Sequence, residues 1–192
     1  MKPEWYGDKR DLVKWSVLFR LAEGNGYKNI LQVAYYHSDT DKAWWKKEMP
    51  VEVRKHFRDL HNITNMTDRF QIAVIDNDFC DRKVYKKLVL DKLKEYDGKE
   101  IIVFFDPDTG LEPPKTKVSF NHVTNDEASE IWDALKPNQM LVLYQHKTSR
   151  ADKAGAWKLD KKKQLERAIK SQVELAEMPD IDKEVVFYWA IK

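Results

Sequence analysis

Ile101-Ile-Val-Phe-Phe-Asp-Pro-Asp-Thr-Gly110 passes from five apolar residues straight into a loop of carboxylates, proline and glycine. A short apolar run without polar alternation, rich in Ile, Val and Phe, reads as a strand covered on both faces. Four other runs have the same character: Ile30–Tyr36, Phe70–Ile75, Met140–Tyr144 and Val185–Ala190. Helical periodicity fills the intervals. Leu12, Trp15, Phe19 and Ala22 share one face before the first strand, and Val53, Phe57 and Leu60 do so after Pro50. Tyr85, Leu88, Val89, Leu93 and Tyr96 mark a long third helix, and Leu165, Ile169, Val173 and Ala176 a fifth that stops before Pro179. The fourth has Ala128, Ile131, Trp132 and Leu135 at i, i+3, i+4 and i+7. It opens on Thr124-Asn-Asp-Glu127, a capping box in which two otherwise unpaired backbone donors are satisfied reciprocally.

Helices alternating with buried strands predict an α/β three-layer sandwich, a mainly parallel sheet between helices, formed as a single domain over residues 1–192. No amphipathic crossover fits Glu177–Glu184, so the final strand is expected to be antiparallel. The composition agrees. Hydrophobic residues are 42% of 192, enough for a core, and no apolar run reaches the ~20 residues of a membrane helix. The opening Met-Lys-Pro-Glu-Trp has no apolar leader segment, and the single Cys80 rules out an internal disulfide framework. A cytoplasmic protein without membrane attachment is the expectation. A net charge of +2 does not by itself announce a nucleic-acid binder, and six glycines leave little for a glycine-rich phosphate cradle.

In open α/β sheets ligands bind beyond the carboxyl ends of the strands, and here those positions are chemically loaded. The first strand leads into Tyr36-His37-Ser38-Asp39, the second into Asp76-Asn77-Asp78, the third into Asp106-Pro107-Asp108, and the fourth into Gln145-His146-Lys147. Carboxylates directly after an apolar strand must be solvated, paired or metal-bound. Asp106, Asp108 and His146 are therefore the candidate catalytic residues. A basic segment, Lys147–Lys163, follows with seven cationic against two anionic side chains. Lys147, Arg150, Lys153 and Lys158 are its candidate nucleic-acid contacts, with Trp157 as an interleaved aromatic. A second basic stretch, Lys42–Arg58, carries Trp44 and Trp45.

An apolar strand ending in Asp106-Pro107 resembles motif IV of the class I S-adenosylmethionine-dependent methyltransferases, especially those acting on exocyclic amines of bases. The opening Tyr6-Gly-Asp-Lys-Arg-Asp-Leu-Val-Lys14-Trp15 resembles the start of the ribosomal RNA adenine-N6 methyltransferases, with Asp11 and Lys14 at the matching Asp-x-x-Lys spacing. The resemblance implies a Rossmann-like methyltransferase topology and S-adenosylmethionine as cofactor. It implies that Asp106 holds the target amine, Asp76 accepts a ribose hydroxyl and Lys14 lies near the cofactor. The sequence departs from the family where a glycine-rich turn should follow the first strand, since Ala34-Tyr-Tyr-His-Ser-Asp-Thr-Asp41 has no glycine. Asp108 and Thr109 also stand where a proline and an aromatic belong. Asp106-Pro-Asp-x-Gly110 with Tyr144-Gln-His146 and Arg150 further resembles a set of uncharacterised bacterial proteins, which implies a site without an activity.

Two alternatives stay open. Asp76, Asp106 and Asp108, with Asp78 and His146 nearby, read as a Mg²⁺ cluster of a divalent-metal-dependent phosphodiesterase, similar to the Asp-x-Asp step of topoisomerase-primase domains. Pro107-Asp108 with Gln145-His-Lys147 also resembles a variant nuclease signature. The third reading is a non-catalytic binding module on the same fold.

Overall fold

The structure, a computed structural model, describes residues 9–37, 59–113, 118–147 and 155–192. Strands β1 (Asn29–Val33), β2 (Gln71–Ile75), β3 (Ile101–Phe105), β6 (Met140–His146), β7 (Glu174–Ala176) and β8 (Val185–Ile191) form a six-stranded sheet in the order β2-β1-β3-β6-β8-β7. β2, β1, β3 and β6 are mutually parallel, whereas β8 runs antiparallel to both β6 and β7. Two-residue strands β4 (Gly110–Leu111) and β5 (His122–Val123) pair separately. The fold is therefore α/β with a mostly parallel, mixed sheet, and its last strand is antiparallel as the missing crossover requires.

Helix α1 (Lys9–Asn25) covers one face of the sheet. Its Val13, Val17 and Leu18 pack with Ile30, Ile102, Phe104 and Val142. On the other face lie α2 (Arg82–Leu93), α3 (Asn125–Ala134) and α4 (Ala156–Ile169), which bury Val89, Ile131 and Leu165 against Leu31, Val103, Phe105 and Leu143. All five residues of β3 are fully buried, which is why its sequence shows no alternation. The capping box at α3 forms as the sequence predicts: Thr124 accepts from the Glu127 amide while the Glu127 carboxylate accepts from the Thr124 amide. Among the described residues no helix is long and apolar enough to cross a membrane.

Three elements differ from the sequence expectation. β1 ends at Val33 rather than Tyr36, because Tyr35 takes a left-handed conformation (φ 47°) that turns the chain. α4 stops at Ile169, where Lys170 is also left-handed (φ 52°); Val173 is buried beyond the helix and Ala176 belongs to β7. Leu60 opens a short 3-10 helix, Leu60–Asn65, whereas Val53, Phe57, Trp44, Trp45 and the rest of Lys42–Arg58 lie outside the described residues.

The chain moves from β1 to β2 on one side and returns to β3 on the other, so the switch point lies at the carboxyl ends of β1 and β3. The Asp106–Gly110 loop beyond β3 is fixed by the fully buried Gln145 of β6. Its Nε2 donates to the Thr109 and His146 carbonyls at 2.8 and 2.7 Å, and its Oε1 accepts from the Leu111 amide at 2.9 Å. Gly110 has φ 117°, and a Cβ there would come within 2.3 Å of Gln145 Oε1. Gly110→Ala is therefore expected to displace Gln145 and to lower stability by about 1–3 kcal/mol, read as a lower urea midpoint. An unchanged midpoint would show that the loop does not depend on this contact.

Candidate functional site

α1 precedes β1 by a short turn and packs back along it, so its first turns sit at the carboxyl rim of the parallel strands. This places Lys14, only 6% exposed, against the fully buried Asp106. Lys14 Nζ lies 2.9 Å from Asp106 Oδ1, 3.0 Å from Asp11 Oδ1 and 4.8 Å from the centre of the Tyr144 ring. The other oxygen of Asp106 accepts from Gln32 Nε2 at 2.8 Å. Gln32 is itself buried, and its Oε1 meets no donor among the described residues.

Burial alone would push Lys14 down, but Asp106, Asp11 and the Tyr144 ring outweigh it and hold the ammonium well above the usual lysine range. Burial pushes Asp106 above the usual carboxylate range, against the opposing pull of Lys14. At 2.9 Å each partner offsets part of the other's desolvation.

His146 sits in a different network. Arg10 Nη2 donates to His146 Nε2 at 2.9 Å, and since a guanidinium only donates, that ring nitrogen is the acceptor. Glu184 lies 3.5 Å from the same nitrogen and Asp182 3.7 Å from Arg10 Nε. Burial, followed by the Arg10 charge, pushes the His146 imidazole down against the pull of Glu184.

Asp76 ends β2 with 40% of its side chain exposed, 3.7 Å from His61 Nδ1. Asp108 is half-buried and close enough to His37, together with Asp78, to act on its charge. Asp76, Asp106 and His146 therefore share one rim but belong to three separate networks. Among the described residues no three His, Cys, Asp or Glu side chains converge as metal ligands, and Asp106 faces Lys14 and Gln32 rather than Asp108.

The basic segment is also divided. Lys158 is ion-paired with Glu177. Lys161 is buried, donating to the Leu111 and Glu112 carbonyls, and burial pushes its ammonium down to about 8. Lys147 follows β6, its backbone amide bonded to the Glu184 carbonyl. Arg150 and Lys153 lie outside the described residues.

Sequence spacing alone did not find Gln32, Tyr144 or Arg10. Gln32 did carry a signal: it is the one amide in the otherwise apolar run Ile30–Tyr36, and a polar side chain buried there needs a partner. Compared with known proteins, the chain matches no protein-family model, and no curated protein matches it.

Removing Lys14 leaves Asp106 buried without its cation. Lys14→Met is expected to cost about 3–5 kcal/mol, and Lys14→Met with Asp106→Leu to recover most of that loss. Denaturant titration of the two variants checks this; additive losses would show that the pair is not coupled. Burial also pushes His37, His122 and His146 below their ordinary value of 6.5. The unfolded chain therefore takes up protons that the folded chain resists, so stability should fall as pH drops below about 6.5. The urea midpoint is expected to be lower at pH 5.5 than at 7.5, with His146→Gln reducing the difference. A midpoint that rises on acidification would contradict the assigned direction.

Proposed function

We propose that the chain is a class I S-adenosylmethionine-dependent methyltransferase-like domain directed at nucleic acid, with its ligands at the β1/β3 switch point. The observation that carries this reading is the sheet order: it reverses at β1 and sets the Asp106-Pro107-Asp108 loop beside the turn after β1. The turn lacks glycine, yet Tyr35 supplies the left-handed conformation with its ring buried against Phe79, Tyr85 and Phe105. Asp76, open to solvent at the end of the neighbouring strand, fits the acid that accepts ribose hydroxyls. S-adenosylmethionine, when bound, supplies an electrophilic methyl group.

The roles of this chain's residues follow from their burial. Lys14, Asp11 and Gln32 hold Asp106, and through it the backbone of Pro107 and Asp108. Asp106 already accepts from an amide nitrogen, so it acts as a positioning residue. Asp108, partly open at the rim, places its carboxylate near His37. His146, neutral and held by Arg10, borders the same rim from β6.

A non-catalytic binding module is the second reading. It draws support from Tyr85, whose hydroxyl accepts from the Tyr35 amide at 2.9 Å and so occupies a backbone donor of the turn. The Mg²⁺-dependent phosphodiesterase draws less, because Asp106 is taken up by Lys14 and Gln32 and no three ligating side chains converge among the described residues.

Calorimetry discriminates among the three. Heat with S-adenosylmethionine or S-adenosylhomocysteine is expected, weakened roughly tenfold or more by Asp76→Ala, as for a lost hydrogen bond to a charged group. Silence with both nucleosides would overturn the methyltransferase reading in favour of the binding module. Heat with Mg²⁺ alone would turn it toward the phosphodiesterase.

A further inference from the structure

Phe120, in the turn before β5, is 45% exposed although it is a large aromatic. Its ring stands perpendicular to Phe79 at 5.3 Å and lies 5.9 Å from the His37 ring. The Arg82 guanidinium lies 5.0 Å from the centre of Phe79 and 5.6 Å from that of Phe120. These side chains come from the segments following β1 and β2 and the turn preceding β5, and all meet at the rim.

The cluster is held in place from beneath. Both oxygens of Glu127 accept from Arg82 Nη1, at 2.9 and 2.7 Å, while Arg82 Nη2 donates to the Ser119 and His122 carbonyls on either side of Phe120. His37 Nε2 contacts the Phe120 carbonyl at 2.9 Å. The turn is also fastened to the Asp106–Gly110 loop, since the Thr109 amide and hydroxyl both donate to the Asn121 carbonyl. Phe120 is therefore an ordered ring, anchored on one side and open on the other, beside Asp108.

We infer that Phe120, backed by Phe79, His37 and Arg82, is a stacking platform for an unpaired nucleobase of single-stranded nucleic acid. The inference rests on the reading of this rim as a nucleic-acid-directed cleft. An ordered aromatic face offers stacking to any base without reading its sequence. The carboxylates nearby, Asp78 and Asp108, disfavour a phosphate at this point.

The test is fluorescence anisotropy with a labelled, mixed-sequence single-stranded DNA of about twelve nucleotides, with unlabelled duplex as competitor. Wild-type protein should bind the single strand, and duplex should compete poorly. Phe120→Ala should weaken binding roughly 5- to 150-fold, the range for losing one stacked base, while Phe120→Trp retains it. The melting temperature of each variant verifies folding, and the tryptophan variant separates stacking from turn integrity. S-adenosylhomocysteine heats should be the same in Phe120→Ala as in wild type, so loss of the cofactor signal and loss of the strand signal report on different proposals. No strand binding by wild type, equal binding by Phe120→Ala, equal weakening by Phe120→Trp, or loss confined to S-adenosylhomocysteine would each overturn the platform.

Discussion

A carboxylate with no exposed surface cannot remain charged at the end of a β-strand unless a cation is brought to it, and Asp106 obtains that cation from Lys14. Desolvating one such ion carries a penalty of several kcal/mol, which mutual attraction offsets only with good geometry and further hydrogen bonds. The geometry here recruits four elements: α1 supplies Lys14 and Asp11, β1 supplies Gln32, β3 ends in Asp106, and β6 places the Tyr144 ring beside the ammonium. The first turns of α1 are therefore tied to the carboxyl rim by more than apolar contact.

The same rim shows why suggestive spacing need not mean a catalytic cluster. Asp106-Pro-Asp-Thr-Gly110 and Tyr144-Gln-His146 do meet, but through Gln145. That amide uses both of its donors and its acceptor on the loop and its own strand. Gly110 suits this position because the Gln145 amide fills the space that a Cβ would take. The conspicuous residues thus divide by burial. Asp106, Gly110 and Gln145 build the frame, while Asp76 and Asp108 remain partly open on it.

Much of this architecture was legible because strands buried on both faces leave continuous apolar runs. The five runs read from the sequence are five of the six strands of the main sheet, and the capping box of α3 is realised residue by residue. The sixth, β7, has two exposed residues and one partly exposed, so it left no apolar run to read. The end of α4 was hidden for another reason. Lys170 takes the left-handed conformation that glycine would have announced, and Val173 keeps the helical spacing while packing from outside the helix. The site partners were hidden by distance along the chain. Gln32 and Asp106 are 74 residues apart and Arg10 and His146 are 136 apart, so no local spacing could join them.

Charge placement decides what kind of recognition this rim can support. The sequence concentrates lysines after β6, but in the fold Lys161 is buried under the Leu111 and Glu112 carbonyls and Lys158 is matched by Glu177. Among the described residues, Lys14 and Arg10 at this rim are set among Asp11, Asp106, Asp182, Glu184 and His146. Phosphate binding needs cationic charge that is not already balanced by carboxylates, since its strength comes from counterions released by the nucleic acid. Among the described residues, the side chains open at this rim include Asp76, Asp108 and the ring of Phe120. A surface of that composition favours stacking and hydrogen bonding over the binding of phosphate.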